Sequence, residues 1–198
     1  MPIDPDFWAQ RRVLLTGHTG FKGAWLSLWL QSLGAEVTGL ARGVPTRPSL
    51  YELADVGTHM RELAVDVRDA AAMREALREA RPEVVLHLAA QPMVRRSLRD
   101  PAMTYDVNVM GTINVLDAVR EAGADVLAVV VVTSDKCYEN PGGSPRPFVE
   151  DDPLGGSDPY SSSKACVELL AASYRRSFFS VEGSARLGTA RAWHSGRV

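Results

Sequence analysis

Two segments of this sequence carry residue types whose spacing could support chemistry. The first, from Thr16 to Gly23, reads Thr-Gly-His-Thr-Gly-Phe-Lys-Gly, and the second, from Tyr160 to Lys164, reads Tyr-Ser-Ser-Ser-Lys. The glycine-rich segment is typical of a turn whose backbone N–H groups bind a diphosphate. Residues four apart share one helix face, so the phenol and the ammonium would lie side by side. Together the two segments predict an enzyme that binds a dinucleotide and moves protons with a tyrosine.

The three glycines of the first segment have distinct predicted roles. Gly17 would permit the tight turn, Gly20 the close approach of a diphosphate, and Gly23 the packing of the helix against the strand. A β-branched run precedes the turn and a helical pattern follows it. That context favours a binding site over the alternative, a plain glycine-rich turn. The positive end of the helix would attract the anion.

The tyrosine needs help to act as a base. A free tyrosine has a pKa of about 10, so it is protonated at neutral pH. We predict that the Lys164 ammonium lowers the pKa of Tyr160 and also holds the nicotinamide ribose. A tyrosine four residues before a lysine is common by chance, and it gains weight here from the glycine turn.

The residues after three other strands would also meet the dinucleotide. Asp66 would accept a hydrogen bond from the adenine amino group while Val67 packs on the ring, although Asp66 could equally cap the next helix. The small side chains of Ala89 and Ala90 would leave room for the nucleotide, or simply fill the core. No acidic residue follows the second strand, and Arg42 there would either face a 2′-phosphate or lie in solvent, so NADP stays open beside NAD.

A further polar group stands at the end of the central strand, where open α/β sheets place their ligands. Thr133-Ser134-Asp135-Lys136 offers hydroxyls, an acid and a base in succession. The alternative is a polar strand end in water.

These residues need a scaffold, and the pattern predicts an α/β fold with a doubly wound, Rossmann-like parallel sheet. Strands are predicted at 12–16, 36–41, 63–65, 84–88, 126–133 and 185–191, and helices at 21–33, 69–80, 105–122 and 160–178, with loops at 43–49 and 140–159.

Composition excludes several classes. The 198 residues are 45% hydrophobic and carry a net charge of −2, so no nucleic-acid or membrane partner is predicted. No membrane span, signal peptide or metal site is predicted. With only two cysteines, a reduced, cytoplasmic protein is expected.

Residues 1–192 resemble the extended short-chain dehydrogenase/reductases, and among them most closely the family of CDP-glucose 4,6-dehydratases. The segments that carry the resemblance are 7–8, 13–30, 45–50, 87–92, 108–112, 133–138 and 158–164. Gly-His-Thr-Gly-Phe-Lys-Gly and Thr-Ser-Asp-Lys are the specific motifs, whereas the glycines and the Tyr/Lys pair mark only the superfamily. The catalytic residues implied are Ser134, Asp135, Lys136, Tyr160 and Lys164. The residues expected at the cofactor are Gly17, Thr19, Gly20, Phe21, Lys22, Gly23, Arg42, Asp66, Val67, Leu88, Ala89, Ala90, Asn108, Thr133, Tyr160 and Lys164.

The resemblance implies that CDP-glucose becomes CDP-4-keto-6-deoxyglucose with NAD as internal hydride carrier, in deoxysugar biosynthesis for lipopolysaccharide O-antigen. Tyr160 would take the 4-hydroxyl proton, Lys136 the C5 proton, Asp135 would protonate the leaving 6-hydroxyl, and Ser134 would donate to the 4-oxygen. Lys136 must then be neutral and Asp135 protonated, which burial or neighbouring charges would have to achieve. The family also implies a homodimer built on the helices at 105–122 and 160–178, whose apolar residues could equally be core.

The sequence departs from the family after residue 192. Residues 193–198 form a divergent tail, and most of the smaller C-terminal substrate-binding domain is missing, so we expect cofactor-site geometry without competent turnover. Two alternatives stay open: another nucleotide-sugar dehydratase or epimerase acting on a UDP-sugar, and a non-catalytic NAD-binding remnant. An epimerase would not need Asp135 and Lys136, whose presence argues against that choice.

Overall fold

The computed structural model describes residues 4–140 and 146–192. Within these residues, six strands form one parallel sheet in the order β3-β2-β1-β4-β5-β6, so the order reverses between β1 and β4. This is the doubly wound α/β topology predicted from the sequence, and the fold class is confirmed. The strands are β1 (Arg12–Thr16), β2 (Glu36–Ala41), β3 (Arg61–Ala64), β4 (Val84–His87), β5 (Ala128–Ser134) and β6 (Arg186–Ala192).

Eight α-helices connect or flank the strands in the described part of the chain. They are α1 (Pro5–Trp8), α2 (Phe21–Ser32), α3 (Leu50–Leu53), α4 (Ala70–Ala80), α5 (Val94–Arg99), α6 (Pro101–Tyr105), α7 (Gly111–Ala122) and α8 (Pro159–Ser177). None of the helices in these residues is both long enough and apolar enough to cross a membrane.

Alternation along β1 explains why both faces of the sheet are covered. Leu14 packs into a core shared with α4, α7 and α8, while Val13 and Leu15 point to the opposite face and pack against α2. Successive side chains of a strand point to opposite faces, so a run of buried apolar residues requires helices on both sides.

Local signals set most helix boundaries. Gly34, with φ of +79°, ends α2 as predicted. The Asp69 side chain accepts a hydrogen bond from Ala72 N and caps α4, and Asp158 caps α8 just before Pro159.

The predicted helix at 105–122 is longer than expected. Helical backbone begins at Pro101 and continues through a π-helical turn, Asp106–Met110, into α7. The third strand begins at Arg61, two residues before the prediction, and the short helices α1, α3 and α5 were not predicted. Residues 193–198, assigned to a divergent tail, and 141–145 of the long loop lie outside the described residues.

Candidate active site

A groove of about 710 Å³ crosses the carboxyl ends of the strands where the strand order reverses. Open parallel sheets bind ligands at this switch point, because the connecting loops diverge there and leave a crevice. Every residue predicted at the cofactor except Asn108 lines the groove.

The glycine turn is built so tightly that side chains are excluded. Gly17 has φ of +75°, and a Cβ there would lie 2.8 Å from the backbone nitrogen of Ala89. A Cβ on Gly23 would lie 2.1 Å from the Gly17 carbonyl oxygen. Gly20 stands just before the first turn of α2 and lines the groove with extended backbone. The turn therefore presents backbone alone at the positive end of the helix.

Hydrogen bonds hold the turn to the neighbouring loops. Gly17 N donates to the Leu40 carbonyl at 2.7 Å, and the Thr19 hydroxyl donates to the Gly43 carbonyl at 2.8 Å. The end of β1 is thereby fixed to the end of β2, which holds the turn in place without a ligand.

A buried polar chain links the turn to the π-helical turn. The Thr16 hydroxyl oxygen accepts from the backbone N–H groups of Leu88 and Ala89, so its proton goes to His87 Nδ1 at 2.7 Å. His87 then donates from Nε2 to the Thr112 hydroxyl at 3.0 Å. Complete burial lowers the pKa of His87 to about 3, which keeps the imidazole neutral and this tautomer fixed.

At the β2–β3 side of the groove, Asp66 lies beside two arginines. Arg68 Nη2 donates to its carboxylate at 2.7 Å and Arg42 Nη1 lies 3.5 Å away. The hydrogen bond from Arg68 is the main cause that holds the pKa of Asp66 below its usual value. The alternative that Asp66 caps the next helix is wrong, because Asp69 is the cap. Val67 is buried against Gly111, where a Cβ would approach it to 2.7 Å.

At the end of β4, Leu88, Ala89 and Ala90 line the groove. The backbone of Ala89 is in contact with the glycine turn, as the 2.8 Å approach described above shows. Both alanines therefore border the groove, and Ala89 also packs against the core; that their small side chains leave room for a nucleotide stays a prediction.

The Tyr160/Lys164 pair reaches the groove, but the predicted pKa effect is wrong. Both residues line the groove from the first turns of α8. Burial raises the pKa of Tyr160, partly opposed by a hydrogen bond with the Ser134 side chain. Lys164 Nζ donates to the Val132 carbonyl at 3.0 Å. Its pKa is lowered to about 8, first by burial and then by the charge of Lys22.

The three residues after Thr133 do not behave alike. Thr133 and Ser134 line the groove, whereas Asp135 and Lys136 do not. The Ser134 hydroxyl donates to the Asp135 carboxylate at 3.0 Å, and its oxygen accepts from Lys136 N at 3.2 Å. Lys136 is exposed, so the structure does not supply the burial that a neutral lysine was expected to need.

The structure does not bring Asn108 to the groove. This buried residue lies in the π-helical turn, where its Oδ1 accepts from Gln91 N at 2.7 Å. Its Nδ2 donates to the Ser163 hydroxyl at 2.8 Å, which in turn donates to the Tyr160 carbonyl at 2.7 Å. Asn108 thus connects the start of α8 to the loop after β4 instead of facing a cofactor.

Sequence reasoning missed several residues of the site. Arg96, on the unpredicted helix α5, lines the groove with Pro92 and Met93. Glu168 lies one helical turn after Lys164 and is buried, with contacts to two strands. Its position four residues after Lys164 was a readable signal, because it places a carboxylate on the same inward face of the helix.

Comparison with known proteins extends these observations. Residues 14–186 match the family model described as GDP-mannose 4,6 dehydratase. CDP-glucose 4,6-dehydratase of Salmonella typhimurium is 49% identical over 181 residues, which cover 89% of this chain and 49% of that protein.

Among solved structures, UDP-glucose 4-epimerase of Thermus thermophilus in complex with NAD has a TM-score of 0.77 at 30% identity, over 91% of this chain and 54% of the other. A dTDP-glucose 4,6-dehydratase double mutant from Streptomyces venezuelae, with NAD and DAU bound, has a TM-score of 0.75 at 27% identity, over 91% and 55%. The chain therefore spans about half the length of the relatives it matches.

Proposed function

The chain belongs to the family described as GDP-mannose 4,6 dehydratase, and on that premise we propose that it is the NAD-binding part of a CDP-glucose 4,6-dehydratase. The observation that supports this best is one groove, at the switch point of the sheet, which both the glycine turn and the Tyr160/Lys164 pair line. The 49% identity to a CDP-glucose enzyme favours CDP-glucose over other nucleotide sugars.

The residues of the groove fit a dinucleotide. The turn has no side chain where Gly17, Gly20 and Gly23 meet, so backbone N–H groups at the start of α2 are open to a diphosphate. Lys22 adds a cation beside them. At the far side, the Asp66 carboxylate and the Val67 side chain offer an acceptor and an apolar surface for adenine.

Arg42 also lies near the adenine end, but it is paired with Asp66 at 3.5 Å. NAD is the cofactor proposed here, in line with the NAD-bound relatives.

In the proposed reaction, each side chain handles one proton. Bound NAD would accept a hydride from C4 of the sugar and return it to C6. Tyr160 must be ionised to take the 4-hydroxyl proton; burial raises its pKa, and the hydrogen bond with the Ser134 side chain opposes that rise. Lys164 would hold the nicotinamide ribose, since it lines the groove, where its Nζ donates to the Val132 carbonyl.

The elimination of water from the sugar needs a second acid–base pair, Asp135 and Lys136. Lys136 removes the C5 proton, the C6–O bond breaks, and Asp135 protonates the leaving oxygen as water. Lys136 later returns its proton to C5, and the proton held by Tyr160 replaces the one that Asp135 gave, so the net loss is one water. Both residues stand on the turn directly after Ser134 and outside the described groove, so this role requires the turn to face the sugar.

The remaining parts of the proposal concern partners and place. A homodimer would use the exposed apolar residues on the long helices, such as Met110 before α7 and Leu169 on α8. We also propose, from the resemblance, that the protein is cytoplasmic and that it acts in deoxysugar biosynthesis for O-antigen.

Two measurements on this chain test the proposal. Calorimetric titration with NAD should show saturable binding that Gly23→Ala weakens at least about tenfold, and absence of binding to the wild-type chain would contradict the cofactor site. Incubation with NAD and CDP-glucose, and separately with UDP-glucose, tests the substrate: 4-keto product from CDP-glucose, absent with Tyr160→Phe, would support the dehydratase activity and refute the sequence-based expectation of no competent turnover. Product from UDP-glucose alone would support the epimerase or UDP-dehydratase alternative, and NAD binding without any product would support the non-catalytic one.

A further inference from the structure

Glu168 is a buried acid that the proposed reaction does not use. Its side chain is 4% exposed and does not line the groove. Removing a carboxylate from water is costly unless it is paired and hydrogen-bonded. A carboxyl group that is buried at that cost and does not line the groove calls for another role.

The carboxylate is fully satisfied by the ends of two adjacent strands. Oε1 accepts from the Thr133 hydroxyl on β5. Oε2 accepts from the Thr189 hydroxyl at 3.0 Å and from Arg191 Nη2 at 3.0 Å, both on β6. One side chain of α8 therefore ties together the carboxyl ends of β5 and β6.

Arg191 extends this connection to the loop beyond β5. Its Nη1 donates to the Tyr138 hydroxyl and to the Glu150 carbonyl, each at 2.7 Å. Tyr138 is buried, and its ring stacks on Phe148 with 4.7 Å between centroids. The guanidinium thus binds both Tyr138, which follows the 3₁₀ turn Asp135–Cys137, and the backbone of the loop at Glu150.

The turn between these two attachments is the one that carries Asp135 and Lys136. It begins directly after Thr133 and Ser134 and ends at Cys137, one residue before Tyr138. Both of its ends lead to the same carboxylate, one directly and one through Arg191. We propose that Glu168 is a positioning residue that, through Thr133 and Arg191, fixes the turn bearing the acid–base pair relative to the groove.

This inference rests on the proposed function for its catalytic meaning but not for its structural test. Glu168→Gln removes the negative charge that pairs with Arg191 and keeps the size of the side chain. Amide hydrogen exchange should become about tenfold faster at Tyr138, Glu139 and Gly155, whose N–H groups bond within this region. Exchange in β1 should stay within about twofold, as should NAD affinity.

A second variant protects the test against misfolding. Arg191→Lys keeps a positive charge for the buried carboxylate but cannot reach Glu168, Tyr138 and Glu150 together, so it should give the same local acceleration. Glu182→Gln, at an exposed position, is the matched control and should change nothing. Unchanged exchange in both variants, or equal acceleration throughout the sheet, would overturn the proposal.

The catalytic readout separates positioning from plain stability. Where the wild-type chain oxidises CDP-glucose with NAD, Glu168→Gln should form NADH at about the same initial rate but complete the elimination about tenfold more slowly, so that NADH accumulates. Equal loss of both steps would contradict positioning of the acid–base turn. If the wild-type chain forms no NADH, the proposed function fails, while the exchange result still decides the role of Glu168.

Discussion

Replacing Lys164 by methionine should make the protein more stable at neutral pH. The pKa of Lys164 is lowered from 10.5 to about 8 by burial and by Lys22. At about 1.4 kcal/mol per pH unit, the charged lysine costs the native state about 3 kcal/mol. Lys164→Met also loses the hydrogen bond to the Val132 carbonyl, which is worth about 1 kcal/mol. The expected net gain at pH 7 is therefore about 2 kcal/mol.

The gain should disappear as the pH rises. Because the unfolded chain binds the proton more tightly than the native state, the cost is fully present below about pH 8 and absent above about pH 10.5. Urea unfolding of both proteins at these two pH values should show the difference shift by about 3 kcal/mol and change sign, since the other ionisable groups are common to both. Lys136→Met, at an exposed lysine, should alter stability by no more than about 0.5 kcal/mol. A stability difference that does not vary with pH, or a variant weaker than wild type at pH 7, would refute the reasoning.

Three other outcomes are expected. Gly23→Ala should lower NAD affinity by at least about tenfold in calorimetry, because the added Cβ would lie 2.1 Å from the Gly17 carbonyl oxygen. Gly188→Ala, whose Cβ would meet open space, is the control and should keep NAD affinity within about twofold of the wild type. Equal affinities of the two variants would count against the close-packed turn. Asp66→Asn should make the free energy of unfolding less dependent on pH in the acid range. The lowered pKa of Asp66 means that its ionised form stabilises the native state above about pH 4, and that this stabilisation is lost as the pH falls further. Identical urea midpoints of the two proteins from neutral pH to about pH 3 would contradict this. Thr16→Val should cost about 2 to 3 kcal/mol in urea unfolding, because His87 and two backbone N–H groups lose their buried partner, and a neutral effect would show that the polar chain contributes little.

The elements that sequence could predict are those with strong local signals. β1 and β2 match their predicted bounds residue for residue, because apolar runs are bounded by charged residues or glycine. Helix α5 was missed because its six residues include only two apolar side chains, Val94 and Leu98, which are too few to define a period. The π-helical turn was also missed, since its extra residue per turn leaves no mark in composition.

Within the site, placement was predictable and electrostatics were not. Tyr160 and Lys164 reach the groove because helical spacing fixes their shared face. Burial, which decides the sign of the pKa shift of Tyr160, depends on the whole fold and cannot be read from a pair of residues. The same holds for Asn108, whose amide is occupied by partners 17 and 55 residues away in sequence.

The nesting of Gly17, Gly23 and the Ala89 backbone has a consequence for how the nucleotide arrives. A loop with so little free space has few alternative shapes, so it gives up little entropy when a diphosphate settles on it. We therefore expect the glycine turn to be preorganised, with the same backbone conformation before and after the diphosphate binds.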